Sequence, residues 1–224
     1  WDVAGAYDDG TSTVIFSGAS AALGSAEQFF NLTIASGATF NIGANSLFIA
    51  NTFNNLGTLQ RAGGSTVNRT DIDSGTVTYI LPGGNIQSYT GTDYFNLSIG
   101  GAGTFTLAAD TIVVNDVTLS AGTLDANGFD LDVGGDWANS ATFTAGTGAV
   151  EFTDATKTSV VSGATAFNDI VVNEPGKTVQ FQTGVTQTLN GSLLIQGTAG
   201  NYVVLEGTTA EVWTIDNLGK SESI

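Results

Sequence analysis

Short runs in which apolar and polar residues alternate, each broken after a few positions by Gly, Asn, Asp or Ser, set the strongest limit on how this chain folds. They include Leu32-Thr33-Ile34, Thr76-Val77-Thr78-Tyr79, Phe105-Thr106-Leu107, Val117-Thr118-Leu119, Leu131-Asp132-Val133 and Val203-Val204-Leu205. A period of two puts one set of side chains on a buried face and the other in water, which is the pattern of a half-buried strand. No stretch of ten or more residues carries helical apolar spacing behind a capping box. The chain is therefore expected to be all-β. Gly numbers 30 of 224 residues while Pro numbers 2, so the excess Gly marks frequent turns between regular elements and not a disordered linker.

Internal repetition narrows the architecture. Val14-Ile15-Phe16, Val77-Thr78-Tyr79 and Val150-Glu151-Phe152 are each followed by an aromatic-Asn pair: Phe30-Asn31, Phe95-Asn96 and Phe167-Asn168. From Val to Asn the spacings are 17, 19 and 18 residues. Trp1 precedes Val14 by the same 13 residues that separate Trp137 from Val150, and Leu47, Phe53, Asn55 and Thr58 match Leu131, Trp137, Asn139 and Thr142 at an offset of 84. Three degenerate repeats follow, approximately 1–62, 63–136 and 137–224, within a single domain, with extra residues assigned to Arg61–Ser74. Turn signals every 8 to 12 residues fit three short strands per coil and three coils per repeat. That predicts a parallel β-helix of roughly ten coils, a rod about 45 to 50 Å long at about 4.8 Å per coil. A β-sandwich or antiparallel barrel is the competing architecture.

The series from Leu119 through Ala121-Gly122-Thr123-Leu124-Asp125, Asn127-Gly128 and Leu131 to Val133-Gly134-Gly135-Asp136-Trp137, with Phe95-Asn96-Leu97-Ser98-Ile99 before it, resembles the repeats of large secreted bacterial and archaeal surface proteins. The resemblance covers nearly the whole chain, although the third repeat loses the pattern after Gly191. It implies a right-handed parallel β-helix of the adhesin or autotransporter-passenger type, located extracellularly or at the cell surface. Such scaffolds carry several functions, so the function has to come from the residues.

Composition excludes a good deal of chemistry. Cys, Met and His are all absent, which removes thiol nucleophiles, disulfides, Cys or His metal ligands, His bases and Ser-His-Asp triads. Basic residues number 5 against 21 acidic ones, for a net charge of −16, and Arg61, Arg69, Lys157, Lys177 and Lys220 are scattered. Nucleic acid and anionic membranes are therefore not expected partners. No apolar run reaches the ~20 residues of a membrane span, so this segment is not expected to insert. The chain does not begin with Met, and Trp1 and the stretch from Trp213 to Ile224 fall mid-pattern without a cap. It is expected to be part of a longer chain or an assembly, joined end-to-end to other copies or to flanking repeats.

The densest carboxylate group is Asp125, Asp130, Asp132 and Asp136, a candidate Ca²⁺ site of hard oxygen ligands. Alternation places Asp130 and Asp132 together on the outward face, where they also read as a solvated acidic row that discourages edge association. EF-hand spacing is absent, and Asp8-Asp9 and Asp71-x-Asp73 are weaker candidates. No other cofactor is expected. Paired carboxylates hydrolyse glycosidic bonds in pectin-degrading β-helices, but without His or clustered basic residues no enzyme activity is expected and no catalytic residue is assigned. Asn31, Asn68, Asn96 and Asn190 head N-x-S/T sequons, of which Asn31 and Asn96 also fit corner positions. Trp1, Trp137 and Trp213 are expected in the core before any role in sugar stacking. The leading expectation is a structural or adhesive surface stalk or filament subunit; the alternative is a carbohydrate-binding or carbohydrate-cleaving β-helix, with surface glycans as partners.

Overall fold

A computed structural model describes residues 10–218, so Trp1, Asp8-Asp9 and Lys220 lie outside the described residues. All of its regular elements are strands, and every pairing between them is parallel. Ten strands, from Ala21–Ala22 to Val204–Gly207, stack in chain order into one sheet. Each belongs to one turn of a β-solenoid of about nine turns. In the central turns the chain makes three strands per circuit: Asn96–Ile99 in the ten-stranded sheet, Thr104–Leu107 on a second face, Thr111–Val113 on a third, then Val117–Leu119 back in the first sheet. Nearer the N-terminus the second and third faces are covered by single long strands, Glu27–Ile34 and Leu47–Asn55, whose pairing shifts register between Phe29 and Asn31.

The register explains why alternation was so regular. Phe40, Leu59, Val77, Leu97, Val117, Trp137, Val161 and Phe181 are successive partners and all are buried. Their neighbours Asn41, Gln60, Thr78, Ser98 and Thr118 form the matching outward row. Stacking like on like buries an apolar column continuously, the source of most of the folding free energy in such a rod.

The spacing between landmarks measures one turn. Val14 pairs with Leu32, Val77 with Leu97 and Val150 with Ile170, so each V-x-Φ strand lies directly beneath the strand that carries or follows the aromatic-Asn motif. The three V-x-Φ strands themselves fall in three different sheets. Residues 62–75 are not an insertion: Leu59 pairs with Val77, an ordinary turn of 18 residues. The long turns lie elsewhere, 24 residues from Trp137 to Val161 and 26 from Val179 to Leu205. The ten stacked strands enclose about nine turns, a rod of about 43 Å at ~4.8 Å per turn.

Corners are held by side chains that bridge turns. Asn31 Nδ2 donates to the Thr11 and Ser12 carbonyls of the preceding turn, and its Oδ1 accepts from Asn51 Nδ2 (2.8 Å) and Thr52 N (3.2 Å) of the next. Asn96 repeats the arrangement with Gly75 O (2.9 Å), Asn115 Nδ2 (2.9 Å) and Asp116 N (3.1 Å). Aspartates extend these columns. Asp116 accepts from Asp136 N and Asp136 from Val160 N; Asp110 accepts from Asp130 N and Asp130 from Ala149 N. Each carboxylate thus caps a backbone N–H that the turning chain cannot pair.

Gly163 shows how closely corners approach. Its φ is +75°, and a Cβ there would lie 1.7 Å from Asn139 O. Gly163→Ala is expected to cost more than the ~1–2 kcal/mol of a left-handed Cβ alone, because the backbone of the neighbouring turn must also move. Chemical denaturation of the variant checks this, and a loss under ~1 kcal/mol would contradict the packing described.

Candidate functional site

The densest gathering of chemistry-bearing side chains is inside the solenoid, around Arg61. In Thr58-Leu59-Gln60-Arg61 the side chain two positions after Leu59 points inward, and Arg61 is fully buried (0% exposed). It heads a column continued by Tyr79, Ile99, Leu119 and Asn139. Its Nε donates to Ser65 Oγ (3.0 Å), Nη2 to Gln87 Oε1 (2.7 Å) and to the Ser65 carbonyl, and Nη1 to the Tyr89 hydroxyl (3.4 Å). The guanidinium carbon lies 5.2 Å from the centre of the Tyr79 ring. The one ion pair among the described residues is Lys157–Asp154 (3.2 Å), so no described carboxylate neutralises Arg61. Burial works against its charge, but the surrounding tyrosine oxygens outweigh that and raise its pKa.

The tyrosines form an ordered chain. Tyr94 donates its hydroxyl hydrogen to the Gln87 carbonyl, so in the 2.9 Å Tyr79–Tyr94 contact the donor must be Tyr79, which itself accepts from Gln87 N (2.9 Å). Burial pushes the Tyr89 hydroxyl up to about 12 and Tyr94 well above its usual value. Hydroxyls held this firmly are donors and not bases at neutral pH. The cluster's hydrogen bonds thus tie Ser65, Gln87, Tyr89 and Arg61 together.

What it holds is a turn with little regular strand. Carboxamides substitute for missing strand partners: Gln87 accepts from Val67 N (2.8 Å) and donates to Val67 O (2.6 Å), while Asn68 accepts from Ile49 N (2.7 Å) and donates to Ile49 O (3.0 Å). Arg69 completes the set, with Nε on Ile49 O and Nη2 on Ala50 O, both 2.8 Å. Outside this wall is an open groove of about 790 Å³ bordered by Asn51, Thr52, Phe53, Arg69, Tyr89 and Thr90, with no Asp or Glu in its lining.

The four aspartates of the acidic stretch take separate positions. Asp125 accepts from Asn127 N (2.9 Å) within its own turn, Asp130 and Asp136 cap successive corners, and Asp132 faces outward beside Glu151. Among the described residues no three Asp, Glu, His or Cys side chains converge as a metal site. Asp132 is raised by burial and then by Asp130 and Asp110; Glu151 is raised by burial and then by Asp132 and Glu174; the buried Asp93 is raised by burial. In the unfolded chain these groups titrate near 3.8 for Asp and 4.5 for Glu. Between those values and the higher folded ones the native state binds more protons, so stability rises as pH falls through that window. The urea midpoint is expected to increase as the pH is lowered from neutrality toward the unfolded-chain values. A midpoint that only falls would mean that groups such as Asp154, lowered chiefly by its hydrogen bond from Thr156, dominate.

Sequon positions divide similarly. The amides of Asn31, Asn68 and Asn96 are engaged between turns as described, and Asn190 is exposed. Trp137 is fully buried, and Trp213 stacks on Phe181 at 5.1 Å and 14°. The Arg61 cluster was not anticipated, although the alternation through Leu59 already gave its direction.

The fold defines a β-solenoid repeat protein. Comparison of the chain with protein-family models, curated proteins and solved structures gives no match.

Proposed function

We propose that this chain is a load-bearing section of an extracellular surface protein, a β-helical stalk or filament subunit that spans distance and presents a largely passive surface. The observation that carries the reading is the unbroken ten-stranded parallel sheet, which runs from the first described turn to the last. Backbone hydrogen bonds along the rod and the stacked apolar column resist extension together.

End-to-end continuation belongs to the same reading. Val204–Gly207 and Thr214–Asp216 are the last strands of their sheets, and Leu205, Trp213 and Ile215 on their inward side are only half-buried. Such edges are stabilised by a further turn, supplied by flanking repeats or by a second copy. Negative-stain microscopy of native material, with antibody labelling of intact producing cells, tests both parts. Rods or continuous fibres at the cell exterior are expected. Compact particles confined to the cell interior would overturn the proposal.

A further inference from the structure

We infer that Asn190 is an acceptor for asparagine-linked glycan, and that the other three sequons of the chain are closed to it once the rod has formed. This goes beyond the spacer reading, which concerns the sheet and not the chemistry of its surface. The four N-x-S/T sites stand at Asn31, Asn68, Asn96 and Asn190, and the fold treats the last of them differently. Attachment joins the side-chain Nδ2 to C1 of the first sugar of a polyprenyl-diphosphate-linked oligosaccharide; the diphosphate leaves and takes up the proton that Nδ2 gives up. The nitrogen must therefore be free to carry a bulky group into water.

At the first three sites that nitrogen is already in use between turns. Asn31 Nδ2 donates to the Thr11 and Ser12 carbonyls, and Asn96 Nδ2 donates to Gly75 O (2.9 Å). Their Oδ1 atoms accept from the turn on the other side, Asn31 from Thr52 N and Asn96 from Asp116 N. Each carboxamide thus lies between turns spaced ~4.8 Å apart, too close to admit a sugar ring. Asn68 is exposed, but its Oδ1 accepts from Ile49 N while its Nδ2 donates to Ile49 O. A carboxamide that pairs with the N–H and C=O of one residue uses the hydrogen on the same side as its own oxygen, which is the position a sugar takes in a trans secondary amide.

Asn190 has a fixed backbone and a free side chain. It follows the buried Leu189 of strand Thr186–Leu189, so alternation turns it outward, and it is exposed. Its backbone N donates to Phe167 O (2.9 Å), Gly191 N to Asn168 O (2.7 Å) and Ser192 Oγ to Asp169 Oδ1 (2.7 Å), whereas its carboxamide makes no hydrogen bond to any described residue. Modification there breaks no bond between turns.

The test secretes the full chain and an Asn190→Gln variant from a eukaryotic cell line that glycosylates exported proteins. Occupancy is mapped by mass spectrometry after enzymatic release, which leaves Asp in place of each modified Asn, against an untreated sample. In the protease-resistant product, occupancy at Asn190 is expected to exceed that at each of Asn31, Asn68 and Asn96 by at least about tenfold. The Asn190→Gln variant is expected to be secreted without glycan and with an unchanged melting temperature. An Asn190 that stays unmodified or is only deamidated, or folded rods that carry comparable glycan at any of the other three sites, would overturn the inference. Those outcomes leave the spacer reading intact, because that rests on the continuity of the sheet and is tested by microscopy of native material.

Discussion

Arg61→Ala is expected to remove about 3–5 kcal/mol of stability, the combined cost of the cavity left at a buried site and of buried acceptors left without their donor. For a chain of this size that corresponds to a fall in Tm of about 10 °C or more. The substitution empties a fully buried site and strips Ser65, Gln87 and Tyr89 of a common donor. Arg61→Met separates the causes. It refills most of the volume without a charge, and since Gln87 keeps its bonds to Val67, less than half of the alanine effect is expected. Thermal melts and urea titrations of both variants decide it. An alanine effect under ~1 kcal/mol would show that the guanidinium is dispensable for holding residues 62–75 against the turns on either side.

Trp137→Ala is expected to cost about 3–5 kcal/mol by cavity formation. The ring packs edge-on to Phe143 at 4.9 Å and against Phe167 at 5.4 Å, in the middle of the apolar column. Its Nε1 donates to Thr165 Oγ1 (3.0 Å), which also receives Asn139 Nδ2 (3.0 Å). Trp137→Phe keeps much of the packing and loses that bond, so about 1–2 kcal/mol is expected. In a solenoid each turn contacts only its neighbours, so hydrogen exchange should accelerate around strands 137–139, 158–162 and 166–167 and not near Arg61. The two alanine variants should accordingly be additive within about 0.5 kcal/mol. Strong coupling between them would mean that a backbone shift passes along the rod from one site to the other.

The strands were legible because burial on one face forces alternation, and Asn31 and Asn96 were legible as corners because their motif recurs. The interior cations were not. An isolated Arg or Lys reads as a solvated residue, yet Arg61 follows Leu59 by two positions and Lys177 precedes Val179 by two, and in both cases the phase of the strand points inward. Lys177 is buried with its Nζ among Gly134 O (3.2 Å), Asp154 O (2.8 Å), Lys157 O (3.2 Å) and Ser159 Oγ (2.8 Å). Those acceptors come from earlier turns, and no local pattern announces them. Period outranked residue type at both sites. The same limit applies to the groove, whose walls meet only when residues near 52, 69 and 89 are stacked, and to the aspartates, whose spacing suggested a common ligand while the turns distribute them to separate corners.

The aspartate columns also govern how such rods behave in a crowd. The carboxylates that cap corners gather in the middle of the rod, at Asp110, Asp116, Asp130 and Asp136, while residues 28–70 hold no Asp or Glu and carry Arg61 and Arg69. Rods in register repel where those carboxylates face one another, at separations within the ~8 Å screening length of physiological salt, while a contact at the edge of the last described turn involves Leu205, Trp213 and Ile215. Side-by-side bundling is suppressed and single-file contact is not, so raising the salt concentration should thicken assemblies before it lengthens them.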